Sequence, residues 1–193
     1  STNTTAVRVL EALSPSVSYD FMTQNLGFTT LVNSDLNSAA LGLGGLTYGV
    51  NTVEMAAAYS AFANNGVYTR PRTYIEVRDN KGNLVLENKQ ESWVAMKEST
   101  AYSINELLKG VVRSGTGTEA AFSGMTIAGK TGTTSSNYDR YFVGYTPYYT
   151  AAVWIGYDQN ASIRANGNPA AQLWKKVMSE AHENLSLIHI SEP

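Results

Sequence analysis

Cysteine is absent from the 193 residues. Disulfides, thiolate nucleophiles and cysteine-ligated metals are therefore excluded. Histidine is scarce: His182 and His189 are the only two, both near the C-terminal end. A Ser-His-Asp triad has little to be built from, and both imidazoles are expected at the surface. No grouping of His, Asp and Glu has metal-ligand spacing, so neither a metal nor another cofactor is expected. Neither sign of charge dominates, with 14 Lys and Arg against 16 Asp and Glu and a net charge of −2. The basic residues are scattered, which argues against a nucleic-acid groove or a basic membrane patch. No apolar run approaches the roughly 20 residues of a membrane-spanning helix. The first residues show neither a signal-peptide pattern nor an initiator Met. Ser1 stands in mid-pattern, and a fragment boundary is expected there.

Hydrophobic residues make up 43% of the chain, enough for one domain with a core. Ala6, Leu10 and Leu13 fall at helical spacing, and Pro15 stops that helix. A short helix is expected from Ser18 to Leu26, ended by Gly27, and a loop over the Gly-rich stretch Ala39 to Gly49. Asn51 and Glu54 fit a cap-and-N3 pair opening a helix with Met55, Tyr59 and Phe62 on one face; Asn64-Asn65-Gly66 ends it. Strands are expected over Thr73–Arg78 and Asn83–Glu87 around a turn at residues 79–82. Ile104, Leu107, Leu108, Val111 and Val112 form the longest helical stripe. Three strand-like runs follow: Met125–Thr133, Arg140–Tyr145 and Tyr149–Gly156. Asn168 and Pro169 open a last helix with Leu173, Val177, Ala181 and Leu185 along one side. Helices, then strands, then a helix read as an α+β fold, an antiparallel sheet packed with helices.

Two patterns share Lys130. Residues 124–131, from Gly124 to Lys130-Thr131, match the P-loop string G-x-x-x-x-G-K-[ST]. A P-loop needs a strand before the first Gly and a helix opening at the Lys. Here the strand lies between the glycines, and Thr131-Gly132-Thr133-Thr134-Ser135-Ser136-Asn137 cannot start a stable helix. A phosphate would find no helix N-terminus, so a nucleotide site is the remote alternative. Lys130-Thr131-Gly132-Thr133 reads better as a strand edge that captures a carboxylate. The hydroxyls donate to the anion, the ammonium supplies field, and Gly132 admits a close approach to the backbone. Alone, three letters fit a surface strand end equally well. Ser1-Thr2-Asn3 stands before the first helix, where capping is the plain role of such residues. Together the two strings are two of the three elements S-x-x-K, Ser/Asp/Asn and K-T-G that mark β-lactamases and penicillin-binding proteins.

From Ser1 to about Leu185 the chain resembles the class A (bifunctional) penicillin-binding proteins, in the C-terminal part of their transpeptidase domain. Ser1-Thr2-Asn3-Thr4-Thr5-Ala6-Val7 is similar to their second motif. Ala39-Ala40-Leu41-Gly42, Val53-Glu54-Met55-Ala56-Ala57-Ala58-Tyr59 and Phe62-Ala63-Asn64-Asn65-Gly66 are similar to their middle segment. Lys130-Thr131-Gly132-Thr133, Tyr141 to Pro147 and Ala152 to Tyr157 are similar to their third motif and the two strands after it. The resemblance implies a transpeptidase-like, N-terminally truncated fold. It implies peptidoglycan cross-linking, in which a serine attacks the D-Ala-D-Ala bond of a stem peptide and the acyl group passes to a neighbouring amine. β-Lactams would block that serine. Ser1 would relay a proton to the leaving group beside Lys130. Asn3 would bind the donor's amide region. Thr131 and Thr133 would hold the donor's carboxylate, the Thr133 N–H would be one oxyanion donor, and Gly132 would leave room. No histidine is then needed. The parent would be membrane-anchored on the extracytoplasmic face of a bacterium.

No lysine in the chain has a serine three residues before it. The S-x-x-K nucleophile is expected before Ser1, and this stretch alone is expected neither to acylate nor to turn over. A β-lactamase is disfavoured, since no Glu-x-x-Leu-Asn occurs. A non-catalytic sensor or scaffold on the same fold is the alternative. The remaining strands are expected to leave an unpaired edge. The domain is expected to occupy residues 1–185. Residues 186–193 resemble translated sequencing-adapter read-through and are expected to be a non-native tail.

Overall fold

A computed structural model describes residues 2–185. Ser1, His189 and the tail over residues 186–193 lie outside the described residues. The chain enters through α1 (Asn3–Leu13) and α2 (Pro15–Asp20). Pro15 both ends the first helix and occupies the first turn of the second, where its missing N–H has no cost. The second helix thus starts earlier than its apolar spacing suggested, and it runs on as a π-helical turn over Phe21–Asn25. The Gly-rich stretch expected as loop contains α3 (Ser38–Leu43), because the Asn37 side chain accepts the Ala40 N–H and nucleates a turn.

Helix α4 (Thr52–Ala63) is capped by Asn51, whose Oδ1 accepts the Glu54 N–H at 2.8 Å. The Glu54 carboxylate does not return the bond. It accepts from the Thr29 hydroxyl at 2.6 Å and so ties the helix to the preceding loop. The most deeply buried residues of α4 are Ala57, Ala58 and Ala61 with Glu54, while the expected Met55, Tyr59 and Phe62 are half-buried and pack against the cores. Small side chains there let the helix approach its neighbours closely. Leu26, Phe28, Leu31 and Tyr68 fill the first core cluster against them. Past Asn64 the chain turns at Gly66, whose φ is +86° and where a Cβ would meet the Met96 carbonyl oxygen. Strand β1 (Val67–Thr69) then pairs with β4 (Ser92–Val94), a two-stranded ribbon of three residues each, too short to show an alternating pattern in the sequence. Between them β2 (Glu76–Arg78) and β3 (Leu84–Glu87) form the expected hairpin.

Helix α5 (Glu98–Ser114) buries Ala101, Asn105, Leu108 and Val112. The expected stripe is rotated: Leu107 is 68% exposed, and a polar residue, Asn105, is inside. Asn105 is satisfied there by the Phe62 carbonyl and the Tyr145 hydroxyl. The main sheet is antiparallel, β5 (Ala128–Thr133), β6 (Arg140–Tyr145) and β7 (Thr150–Ile155) in that order. One face, through Ala128 and Tyr145, packs on Leu108 of α5 and on Tyr59 and Phe62 of α4. The other, through Phe142, packs on α6 (Pro169–Ala181). Helix α6 buries Ala170, Ala171, Trp174 and Met178, not the expected Leu173 and Val177, which are 45% and 54% exposed. Trp174 is fully buried, and its indole N–H donates to the Ala151 carbonyl. His182, expected at the surface, is buried: its ring lies between the Thr146 hydroxyl at 2.7 Å and the Met178 carbonyl at 2.6 Å. Since Thr146 Oγ1 already accepts the Tyr148 and Tyr149 N–H groups, its own proton points at His182 Nε2. The result is an α+β fold, as expected, and the three-stranded sheet has β5 and β7 as its edges.

Candidate active site

Strand β5 is an edge, and it carries Lys130 to Thr133 along it. Two glycines seat it. Gly129 and Gly144 face each other across the β5–β6 ladder, and the ring of Phe142 lies over both. A Cβ on either would come within 2.7 Å of that ring. Alternation then sends Lys130 to the face of Ala128 and Tyr145, and Thr131 to the face of Phe142. Gly132 sits over Tyr141, where an added Cβ would meet the tyrosine Cβ at 3.0 Å.

A cleft of about 570 Å3 opens at this edge. Lys130, Thr131 and Thr133 form its wall. The opposite rim comes from Gly115 and Thr116 after α5, from Glu119 in the 3-10 turn Thr118–Ala120, from Arg140 at the start of β6, and from Gly167 and Asn168 at the entry to α6. The Thr116 and Thr131 hydroxyls share a hydrogen bond of 2.8 Å. Lys130 Nζ donates to the Thr131 carbonyl at 3.0 Å and is half-buried, and burial pushes its pKa below the ordinary 10.5. No carboxylate pairs with Lys130 among the described residues. Two of its three N–H donors are thus free to meet an incoming anion.

Asn168 closes the far end. Its Oδ1 accepts the Ala170 and Ala171 N–H groups and its Nδ2 donates to the Tyr141 carbonyl, so one side chain caps α6 and ties it to β6. Its own N–H donates to Glu119 Oε2 at 2.6 Å. The turn after β5 is held by Thr134 and Asp139, whose carboxylate accepts the Trp154 indole N–H at 2.9 Å.

The sequence-predicted residues divide into two groups. Lys130, Thr131 and Thr133 meet in one cleft, with Gly132 between them. Asn3 is the first residue of α1, exposed, with no hydrogen bond to β5 among the described residues. Helix α1 packs on α2 and α3. Ser1 is outside the described residues. Thr116, Glu119, Arg140 and Asn168 were not singled out from sequence as site residues, although Thr116 stands between two glycines as a hydroxyl in the same company as Thr131 and Thr133. Lys130 lies within a strand and opens no helix, so the P-loop reading has no phosphate cradle. Among the described residues no group of three or more His, Asp or Glu side chains could hold a metal ion.

The family model for the penicillin binding protein transpeptidase domain matches residues 4–179. Penicillin-binding protein 1A of Clostridium acetobutylicum is 42% identical over 100% of this chain and 24% of its own length. Penicillin-binding protein 1F of Bacillus subtilis is 37% identical over 75% of this chain and 21% of its own. Among solved structures, Penicillin-Binding Protein 1A from Haemophilus influenzae superposes with a TM-score of 0.79 at 20% identity, covering 100% of this chain and 34% of that one. The D,D-transpeptidase domain of a peptidoglycan glycosyltransferase from Eggerthella lenta gives 0.74 at 23% identity, covering 97% and 52%. These two likenesses establish a shared fold. The chain spans about a quarter of the length of the first curated relatives it matches.

Proposed function

Because this chain belongs to the penicillin binding protein transpeptidase family, we propose that it supplies the substrate-binding wall of a peptidoglycan D,D-transpeptidase acting at the extracytoplasmic face of a bacterial membrane. The donor is a stem peptide ending in D-Ala-D-Ala. Its terminal carboxylate lies between the Thr131 and Thr133 hydroxyls, in the field of Lys130. Gly132 lets its backbone run along β5, and the Thr133 N–H serves the oxyanion, a dipole placed where charge develops. Ser1 relays a proton to the leaving D-Ala, and Asn3 binds the donor's amide. The attacking serine is in none of the described elements and is supplied by residues before Ser1. Residues 186–193 take no part. No described helix is long and apolar enough to cross a membrane.

One observation carries this reading. A half-buried ammonium with no carboxylate partner among the described residues shares a cleft with two hydroxyls on an open strand edge. Such an arrangement is costly when empty and is relieved by a carboxylate. The experiment is labelling with a fluorescent penicillin. The full-length gene product is expected to form a stable adduct, and a protein of residues 2–185 is expected to form none. Lys130→Ala in the full-length product should slow labelling about 100-fold or more. An adduct on residues 2–185 would place the nucleophile inside this chain. A full-length product that never labels would leave a sensor or scaffold on the same fold.

A further inference from the structure

Arg140 opens β6 directly across from Thr133, the last residue of β5. One N–H of its guanidinium donates to Thr133 Oγ1 at 3.2 Å. Its Nε is buried and has no acceptor among the described residues. No carboxylate lies within ion-pair distance of it among those residues either. Glu119 is the acidic side chain that lines the same cleft, but it is committed elsewhere. Its Oε2 accepts the Asn168 N–H at 2.6 Å and lies 3.5 Å from Gln172 Nε2, and the carboxylate presses so close to Gly167 that a Cβ there would collide with it. The cleft therefore holds two cations, Lys130 and Arg140, and its acid neutralises neither.

A guanidinium stays charged at every working pH, and its fork matches a carboxylate in two parallel hydrogen bonds. A buried N–H without an acceptor costs free energy that an arriving acceptor returns. We propose that Arg140 is a substrate-binding residue that recognises the terminal carboxylate of the donor together with Thr131 and Thr133. The Thr133 hydroxyl bridges the two halves of the device: it holds the guanidinium in place and borders the carboxylate site. Lys130 and Arg140 then face the anion from two sides of β5. The inference rests on reading the cleft as a carboxylate site and adds the residue that sets its preference for charge.

The test compares two ligands differing only in that charge, diacetyl-L-Lys-D-Ala-D-Ala and its C-terminal amide. Both are titrated by calorimetry into the full-length gene product, wild type and with Arg140→Gln, Arg140→Lys or Lys130→Gln. Wild type should prefer the acid. Arg140→Gln should weaken the acid about tenfold and leave the amide unchanged, and Arg140→Lys should recover part of the loss. Unfolding midpoints measured beside these values separate lost binding from lost folding, and the conservative Lys variant carries the test should the Gln variant fold poorly. Equal weakening of both ligands would reduce Arg140 to a support for the strand and overturn the proposal, as would no weakening of either. If Lys130→Gln abolishes the acid preference while Arg140→Gln leaves it intact, Arg140 fails and the carboxylate cleft survives. If wild type does not tell acid from amide, the cleft reading and the role of Arg140 fall together.

Discussion

Lys130 carries the pH dependence of the site. Burial favours its neutral form, so its folded pKa lies below the ordinary 10.5. The carboxylate binding proposed for this cleft draws on the ammonium. Affinity for the peptide acid should therefore be full below the folded pKa and fall as pH rises through it, earlier than for an exposed lysine. Stability runs the other way. Between the lowered folded value and 10.5 the unfolded chain binds more protons than the folded one, so resistance to unfolding rises with pH across that window. Lys130→Gln should remove both slopes. Calorimetric affinity and unfolding midpoint, each followed against pH, read them separately. A fall in affinity only near 10.5, with no slope in the midpoint difference, would show that burial does not act on this group. Part of this was open to sequence reading, because the run of Lys130 and hydroxyls is contiguous. Arg140 and Thr116 were not, because they reach the cleft only through the pairing of β6 with β5 and the turn after α5.

At the scale of elements, the β5–β6 pair depends on two facing glycines. Gly129→Ala would push a methyl to 2.7 Å from the Phe142 ring and 2.8 Å from the Val143 carbonyl, and the carbonyl cannot yield. Overpacking of that kind costs about 1–3 kcal/mol. Denaturant unfolding of the variant should show that loss, together with weaker binding of the peptide acid, because the same shift moves Lys130. A variant of unchanged stability would mean that the strands slide freely. Elements with a local cause were legible from sequence. Asn51 and Asn168 cap their helices as expected, Asn65-Gly66 and residues 79–82 turn the chain, and the β6 and β7 runs are strands, as is the expected β5 run from Ala128 on, its first residues 125–127 lying outside the strand. What sequence did not give is which face each helix buries. Asn105 is inside because a tyrosine hydroxyl from β6 and the Phe62 carbonyl meet it there. His182 is inside because Thr146 and the Met178 carbonyl do. Leu107, Leu173 and Val177 lost their places to residues that touch the sheet. These outcomes depend on tertiary partners, and an apolar stripe by itself is blind to them.

For the whole molecule the outer edge of β7 is the decisive place. The groove beside it is lined by Thr150, Ala151 and Ala152 of the strand, by Val53, Ala56 and Ala57 of α4, and by the chain after β1, including Arg70 and Arg72. An open strand edge flanked by alanines is a template for another strand. Trp154, 45% exposed on β7, and Leu173 and Val177 on α6 add apolar surface that a monomer rarely leaves uncovered in quantity. If residues upstream of Ser1 complete the transpeptidase and carry the first strands of its sheet, β7 is the edge not already used by the proposed carboxylate cleft. Hydrogen exchange tests this directly. In a protein of residues 2–185, the β7 amides that point away from β6 should exchange rapidly, and sedimentation should show self-association rising with concentration. In the full-length gene product the same amides should be protected and the self-association lost. Protection on β5 instead would mean that the added residues cover the Lys130 edge, and a carboxylate cleft there would then have no open side through which a peptide could enter.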